Sequence, residues 1–241
     1  MSRQDQAATY EYVGSELDLF STAIHWKTYL GKILAPHVRG RVLEVGAGIG
    51  SNTPFLYAPG VTEWVSLEPD AALSARISSR ISQGGLPKSC HVLTGDLAAI
   101  EAAPAYDTIL YIDVLEHIAD DRAELAAAAL RLRPNGRLVV LAPAHQFLFS
   151  PFDAAIGHHR RYGAAALRRL GPPGCRMTAC RMLDSVGFFA SLANRVLLRS
   201  AAPSPKQIAF WDGVLVPMSR LVDPCIFYGF GKSILAVWTR D

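Results

Sequence analysis

A glycine-rich turn follows a short apolar run near residue 45, and its residue types suit the binding of a nucleotide-like ligand. Residues 42–45 are mostly strand formers, and Gly46-Ala47-Gly48-Ile49-Gly50 follow them directly. Glycines expose bare backbone, against which a ligand can lie closely. Ser51-Asn52-Thr53 offer N-cap side chains for a helix starting near Asn52, whose free N–H groups can receive an anionic group. The stretch therefore predicts a strand, a turn and a helix start around one ligand.

The spacing of these glycines differs from the dinucleotide-binding fingerprint Gly-x-Gly-x-x-Gly. The third glycine of that fingerprint would fall at Ser51, whereas the chain has Gly46, Gly48 and Gly50, preceded by Glu44. For the turn alone, an ordinary strand–loop connection without a ligand is the alternative interpretation.

An acidic residue also follows the second predicted strand, residues 63–67. Glu68 lies 20 residues after Gly48 and directly before Pro69, which suits the first turn of a helix. An acid at this position of a βαβ unit can accept hydrogen bonds from both hydroxyls of a ribose. The alternative role, capping the next helix, belongs more naturally to Asp70.

Further acids follow the third and fourth predicted strands, residues 91–94 and 106–112. Gly95-Asp96-Leu97 come after the third strand and Asp113 after the fourth. Buried apolar strands alternating with helices predict an α/β fold with a doubly wound, mostly parallel sheet. Because ligands bind at the carboxyl ends of such strands, we expect the glycine turn and the strand-end acids to form one site.

Other elements complete this sheet and cover it. Apolar periodicity predicts helices over residues 16–36, 120–132 and 164–170. A turn at Arg133-Pro134-Asn135-Gly136 precedes a fifth strand over 137–142, and residues 176–184 and 231–238 are the expected sixth and last strands. Residues 1–15 are a polar lead-in in which Tyr10 and Tyr12 could fold over the site.

These motifs together resemble the class I S-adenosylmethionine-dependent methyltransferases over residues 38–145. Asp113-Val114-Leu115-Glu116-His117-Ile118 resembles the fourth motif of the small-molecule branch, as in ubiquinone-biosynthesis O-methyltransferases. The resemblance implies S-adenosyl-L-methionine as the cofactor and a Rossmann-like, seven-stranded sheet whose last strand is antiparallel. In that family the acid after the third strand faces the adenine, and residues after the fourth strand lie beside the methionine part. The implied cofactor-binding residues are Glu44, Gly46, Ala47, Gly48, Gly50, Glu68, Pro69, Gly95, Asp96, Leu97 and Asp113.

The segment Gly157-His158-His159-Arg160-Arg161-Tyr162 is the predicted acceptor site. Its pattern GHxRRY is similar to that of a bacterial group within the same family. The planar fork of arginine suits carboxylate or phosphate, so Arg160 and Arg161 are predicted to bind an anionic acceptor. Histidine can take a proton near neutral pH, so His158, His159 and Tyr162 are the catalytic candidates. The alternative is a basic surface loop before the helix at 164–170.

His117 is a further candidate for acceptor binding, from the end of the fourth strand. The alternative is that Glu116 and His117 form a helix-entry pair held by local hydrogen bonds. Long apolar stretches at 186–198 and 208–218 could line a greasy acceptor pocket, form a dimer face, lie against a membrane surface or pack as core.

Length and composition favour one domain over residues 1–241. It would comprise a helical cap (1–37), a cofactor-binding core (38–145), acceptor-binding additions (146–230) and the last strand (231–241). The net charge is +3, and from residue 151 onward basic residues outnumber acidic ones by 12 to 5. The four cysteines form no Cys-x-x-Cys pair and no Cys/His cluster with zinc spacing, so we expect reduced thiols and no metal. A polar amino terminus without a signal peptide favours a cytoplasmic protein.

The sequence thus predicts methyl transfer from S-adenosylmethionine to an oxygen or nitrogen of a small or lipid-like, anionic acceptor. Two rival functions stay open. The basic carboxyl-terminal part allows an RNA methyltransferase, although its charges are dispersed and no Asn/Asp-Pro-Pro-Tyr-type motif follows the fourth strand. A non-catalytic scaffold that binds the cofactor is the other rival.

Overall fold

A seven-stranded sheet forms the centre of the computed structural model, which describes Tyr12, Gly14 and residues 16–193 and 203–241. The strands are β1 Gly40–Val45, β2 Val61–Glu68, β3 Cys90–Thr94, β4 Tyr106–Ile112, β5 Leu132–Pro143, β6 Cys175–Leu183 and β7 Ser233–Arg240. Their order across the sheet is β3-β2-β1-β4-β5-β7-β6. Because the order reverses beside β1, the carboxyl ends of β1 and β4 flank a crevice suited to a ligand.

The pairing of the strands confirms the predicted fold class. Strands β1 to β5 pair in parallel, whereas β7 runs antiparallel to both β5 and β6. The inner strands are mostly apolar because helices cover both faces of the sheet. Val42 packs into one buried layer, and its neighbour Leu43 into the layer on the opposite face.

Ten α-helices are assigned in the described residues. They are α1 Glu16–Ser21, α2 Ile24–Leu34, α3 Thr53–Leu56, α4 Ala71–Ser82, α5 Asp121–Arg131, α6 Pro151–Ala155, α7 Ala164–Leu170, α8 Ser185–Ala193, α9 Pro205–Phe210 and α10 Val216–Cys225. Helix α2 packs with α4, α9 and α10 residues on one face of the sheet, and α5 and α7 residues pack on the other. A π-helical turn, Trp211–Leu215, joins α9 to α10.

Two local predictions differ from the structure. The single helix expected over 16–36 is interrupted at Thr22 and Ala23, and it ends in a 3-10 turn at Ala35–His37. The helix after the glycine turn has only four residues, and Asn52 makes no side-chain cap. The hydroxyl of Thr53, expected as a cap, donates instead to Glu44. A helix this short offers little field for an anion.

The predicted turn at 133–136 lies within β5 as an irregularity. Tyr106 pairs with Leu132, and the next pair is Thr108 with Arg137, so the residues between are displaced from the ladder. Asn135 has a positive φ of 61°, as such a turn requires.

The apolar stretches after β6 form helices α8 to α10 where the structure describes them; residues 194–198 and Tyr10 lie outside the described residues. Ile208, Trp211 and Val216 are buried in the core, so part of this region is ordinary packing. Among the described helices, none is both long enough and apolar enough to cross a bilayer.

Candidate functional site

A cavity of about 1330 Å³ lies at the carboxyl ends of β1 to β4. Most of the predicted cofactor residues line it, namely Gly46, Ala47, Gly48, Glu68, Pro69, Gly95, Asp96, Leu97 and Asp113. His117, His158 and Arg161 line it as well. The parallel strands deliver residues that are far apart in the chain to one edge of the sheet.

The glycine turn is held by the neighbouring strand β2. The N–H groups of Gly46 and Ala47 both donate to the carbonyl of Leu67, at 2.8 and 3.2 Å. Gly48 has a φ of +59°, which favours glycine, and among the described residues a Cβ there would have only the side chain of Leu17 within 4 Å. The turn therefore presents bare backbone to the cavity.

Glu68 lies under the turn at the end of β2. One carboxylate oxygen accepts from the N–H of Gly48 at 2.7 Å, and the other accepts from the N–H of Asp70 at 3.0 Å. A carboxylate offers about four acceptor positions, so each oxygen keeps capacity for another donor. Asp70 itself caps α4, accepting from the N–H groups of Ala72 and Leu73, as predicted.

Glu44 and Gly50 differ from the other predicted cofactor residues because neither lines the cavity. Glu44 is buried beneath the turn, where one oxygen accepts from Thr53 at 2.8 Å and from the indole N–H of Trp64 at 3.0 Å. Gly50 packs against Ile77 of α4. These two residues support the turn from below instead of facing a ligand.

The environment of Glu44 makes stability depend on pH. Burial raises its pKa to about 7, although the hydrogen bonds from Thr53 and Trp64 act in the opposite direction. Because the folded pKa lies above the unfolded value, the stabilisation is complete below about pH 4.5 and is lost as the pH rises through 7. Between pH 5 and pH 8, the free energy of unfolding of the wild-type protein should therefore fall by up to about 3 kcal/mol more than that of Glu44→Gln.

Urea unfolding of both proteins at pH 5 and pH 8 measures this difference. The glutamine can still accept hydrogen bonds from Thr53 and Trp64. The variant therefore removes the contribution of Glu44 ionisation to stability and keeps these contacts. An equal pH dependence in the two proteins would show that Glu44 is ionised in the fold.

The end of β3 supplies the residues predicted for the adenine. Asp96 is exposed, and one of its oxygens accepts from the N–H of Ala98 at 2.9 Å. Leu97 is buried beside it and contributes to the cavity wall. This wall thus combines an acidic group with an apolar surface.

Asp113 ends β4 in a strained conformation. Its φ is +54°, which is uncommon for a residue other than glycine, and its N–H donates to the carbonyl of Leu141 at 2.9 Å. Asp113 is exposed to the open cavity, yet the surrounding protein desolvates its carboxyl enough to raise its pKa to about 6, while the charges of His158 and Lys232 lower it. The residue lines the cavity, where the charges of two cationic or basic groups act on it.

The segment after α6 folds back over the end of β4. The N–H of His159 donates to the carbonyl of Glu116 at 2.8 Å, and Tyr162 bridges to Ala144. His158 is thereby placed beside Glu116 and His117, and the two imidazole rings lie 4.5 Å apart. The structure thus joins two segments that the sequence treats separately.

Asp153 organises this segment. It accepts from Nδ1 of His158 at 3.0 Å and from two guanidinium nitrogens of Arg161, each at 2.8 Å. It also accepts from the N–H and hydroxyl of Ser150. Burial raises the pKa of Asp153, but the hydrogen bonds from His158 and Arg161 outweigh this effect and hold that pKa below its usual range. Arg161 lines the cavity, but the planar fork predicted to bind an acceptor is occupied by Asp153.

The other three predicted site residues of this segment, His159, Arg160 and Tyr162, do not line the cavity. His159 is exposed. Arg160 forms an ion pair with Asp121 at 2.7 Å, and the buried hydroxyl of Tyr162 donates to the same carboxylate at 2.8 Å. Burial and the bond to Asp121 raise the pKa of Tyr162 far above its usual value. These contacts anchor the segment to α5, so direct catalytic or acceptor-binding roles for His159, Arg160 and Tyr162 gain no support.

His117 faces the cavity between His158 and the lead-in. Its ring centroid lies 6.2 Å from that of Tyr12, whose N–H donates to Asp70 at 2.8 Å. Burial, followed by the nearby charges of His158 and His159, lowers the pKa of His117 to about 4. The imidazole is thus neutral at physiological pH. Tyr12 lines the cavity, as expected for a lead-in that covers the site.

Sequence reasoning missed Asp153 and Lys232 as site residues. Lys232 lines the cavity just before β7, with its ammonium 3.7 Å from the ring centroid of Trp211 and 3.4 Å from Asp184. The feature of the sequence that could have indicated Lys232 is a single lysine at the start of an otherwise apolar strand. The signal for Asp153 is Ser150-Pro151-Phe152-Asp153, a capping box, and the structure shows both of its bonds.

Comparisons with known proteins agree with this geometry. A family model described as a methyltransferase domain matches residues 17–172. The demethylmenaquinone methyltransferase of Tropheryma whipplei (strain Twist) is 28% identical over 148 residues, which are 61% of this chain and 59% of that protein. The ubiquinone biosynthesis O-methyltransferase of Xanthomonas euvesicatoria pv. vesicatoria (strain 85-10) is 30% identical over 99 residues, or 41% of each chain. The chain thus spans about half the length of the curated relatives it matches.

Solved structures show the same architecture. The crystal structure of a putative sarcosine dimethylglycine methyltransferase from Galdieria sulphuraria has a TM-score of 0.59 and 19% identity, covering 90% of this chain and 84% of that one. At this identity the similarity concerns the fold alone. The resemblance to class I methyltransferases is confirmed by the family model, and the chain belongs to the methyltransferase-domain family.

Proposed function

We propose that this protein transfers a methyl group from S-adenosylmethionine to an oxygen or nitrogen of a small or lipid-like, anionic acceptor. The observation that carries the proposal is that one cavity is lined both by the glycine turn with the strand-end acids and by the basic groups His158 and Lys232. When bound, S-adenosylmethionine supplies an electrophilic methyl group on a sulfonium.

The residues on the β1–β3 side fit this cofactor. Gly48 leaves bare backbone where a side chain would occupy ligand space. Glu68 keeps acceptor capacity on both oxygens and is already oriented by Gly48 and Asp70, so it can receive two ribose hydroxyls. Asp96 is the proposed acceptor for the adenine amino group, with Leu97 against the ring.

The residues on the β4–β7 side suit the acceptor. Lys232 provides a cation in the cavity, and burial lowers its pKa, so a bound anion would compensate for its lost hydration. His158 donates from Nδ1 to Asp153, which leaves the lone pair of Nε2 available to take a proton from an acceptor hydroxyl. Arg161 would contribute mainly through Asp153, by fixing the orientation of that imidazole.

The walls of the cavity support alignment and exclusion of water, which are the main requirements of direct methyl transfer. Leu17 and Phe20 of α1 and Phe152 and Ile156 near α6 line it with apolar surface. Gly187, Ala190 and Ser191 of α8 add small side chains.

A lipid-like acceptor is favoured by two further observations. The relatives from Tropheryma and Xanthomonas are named as a demethylmenaquinone methyltransferase and a ubiquinone biosynthesis O-methyltransferase. Met218, Leu221 and Val222 are exposed apolar residues spaced as one face of α10, and Phe227 beyond the helix is 90% exposed. Such a surface suits transient contact with a membrane that holds the acceptor.

Glu68→Ala tests the cofactor half of the proposal. Removing a carboxylate that binds two hydroxyls should cost about 1.5–3 kcal/mol, or about ten- to a hundredfold in affinity. Calorimetry with S-adenosylhomocysteine measures this loss. Glu63→Ala is the matched control, because Glu63 is on the same strand and pairs with Arg41 away from the cavity. Equal affinity in the folded Glu68→Ala protein would remove Glu68 from the cofactor site.

Turnover is tested by incubating the protein and labelled S-adenosylmethionine with a cell extract. A labelled small-molecule or lipid product heavier by one methylene is expected in mass spectrometry. Labelled RNA would favour the nucleic-acid alternative. Normal cofactor binding without any labelled product would favour a non-catalytic scaffold.

A further inference from the structure

Glu116, His117 and His158 form a compact cluster of ligand-type side chains at the acceptor end of the cavity. One potential donor atom from each residue lies within 4.8 Å of the others. Nε2 of His158 is 3.8 Å from a carboxylate oxygen of Glu116, which is too long for a hydrogen bond. All three residues line the cavity.

The carboxylate of Glu116 is buried with only the longer-range charges of His158 and Arg161 to offset its burial. Its side chain is fully buried, and neither oxygen has a hydrogen-bond partner among the described residues. A buried carboxylate without donors is costly, and the fold would be expected to supply donors or a cation. The cost indicates that Glu116 is arranged for a ligand.

The orientation of His158 agrees with this interpretation. Its Nδ1 is hydrogen-bonded to Asp153, so the proton is expected there and the lone pair of Nε2 is directed to the cluster. Carboxylates commonly orient metal-binding histidines in this way, holding the ring from the side away from the ion. Asp153 is in turn held by Arg161 and Ser150.

We propose that Glu116, His117 and His158 bind a divalent transition-metal ion at the acceptor end of the cavity. Two imidazoles and one carboxylate suit zinc, cobalt or iron(II). At ligand distances of about 2.0–2.2 Å, the three donor atoms would have to approach each other by roughly 1 Å. Side-chain rotation can supply this, because no hydrogen bond from another described residue holds the Glu116 carboxylate.

Three protein ligands leave coordination positions open on the cavity side. On the proposed function, these positions would hold oxygens of the anionic acceptor, with Lys232 as a second positive group nearby. His158 would then serve as a metal ligand instead of a base. An acceptor hydroxyl held by the ion would ionise more readily, because the positive ion lowers the pKa of the hydroxyl. The inference therefore restricts the acceptor class to molecules with oxygen ligands.

Sequence spacing could not reveal this site. His117 and His158 are separated by 41 residues, and the motif around His158 contains no second histidine at metal-binding spacing. The segment after α6 completes the cluster only because it folds onto the end of β4.

Two titrations of the metal-free full chain test the site. Binding of cobalt(II) is monitored by visible absorption, and binding of zinc is measured by calorimetry. Neither measurement needs cofactor or acceptor, so the outcome is independent of methyl-transfer activity. Wild-type protein is expected to bind about one equivalent and to show cobalt ligand-field bands in the visible. Glu116→Gln and His158→Ala should each weaken binding at least tenfold, since each removes a ligand.

His91→Ala is the matched control, because His91 is an exposed residue on β3 outside the cluster. The glutamine variant keeps the shape of the buried side chain without its charge, so it tests ligation even if His158→Ala is poorly folded. Absence of cobalt and zinc binding by wild type in both measurements would overturn the proposal. Equal affinity of wild type and Glu116→Gln would overturn it as well, by placing the metal on another group.

Discussion

A Gly48→Val variant is expected to lose measurable binding of S-adenosylhomocysteine, a decrease of more than about a hundredfold. Gly48 has a φ of +59° and lines the cavity, and its N–H donates to Glu68. A β-branched side chain would project into the ligand space and would also be strained in this backbone conformation. Both effects displace the turn from Glu68, so ribose and methionine contacts would be lost together.

The matched control is Gly84→Val, at the exposed turn after α4. Gly84 has a φ of +73° with nothing within 4 Å of an added Cβ, so it carries similar backbone strain without a ligand beside it. Circular dichroism and thermal unfolding of both variants separate strain from blocked binding. Wild-type affinity in folded Gly48→Val would show that the glycine turn does not contact the cofactor.

The second large effect is expected for His158→Ala, which should lower kcat by roughly 10²–10⁴-fold. The side chain lines the cavity, and Asp153 holds Nδ1, which leaves Nε2 for the acceptor or for an ion that binds the acceptor. Cofactor affinity should hardly change, because the glycine turn and Glu68 are on the other side of the cavity. Steady-state kinetics beside calorimetry with S-adenosylhomocysteine check both parts.

His159→Ala provides the comparison that isolates the role of one histidine. His159 is exposed, and its hydrogen bond to Glu116 uses the backbone N–H, which alanine keeps. Its effect on kcat is therefore expected to be small. Equal losses in both variants would mean that the segment contributes as a folded unit. A loss of cofactor affinity in His158→Ala would place this segment over the cofactor, as a lid.

The location of most cofactor candidates could be predicted because local signals determine it. Apolar runs form the strands, and a turn or an acid after each run marks the carboxyl end. Glu44 and Glu68 show the limit of such signals. Both are acids near the glycine turn, yet Glu68 lines the cavity, whereas Glu44 is enclosed by Thr53 and Trp64. Only the packing of α3 and β2 around β1 distinguishes them.

The acceptor end depended far more on tertiary structure. The sequence by itself determined that residues 157–162 carry basic and imidazole groups, and that a parallel sheet delivers the strand-end acids to one edge. It could not determine that His158 faces the cavity while His159 faces solvent, since neighbours in an irregular segment have no fixed periodicity. That difference is decided by Asp153, by the bridge of Tyr162 to Ala144 and by the bond from His159 to Glu116. The reason is physical: helices, strands and turns follow from interactions within a few residues, whereas these contacts connect different parts of the chain and exist only after the sheet has formed.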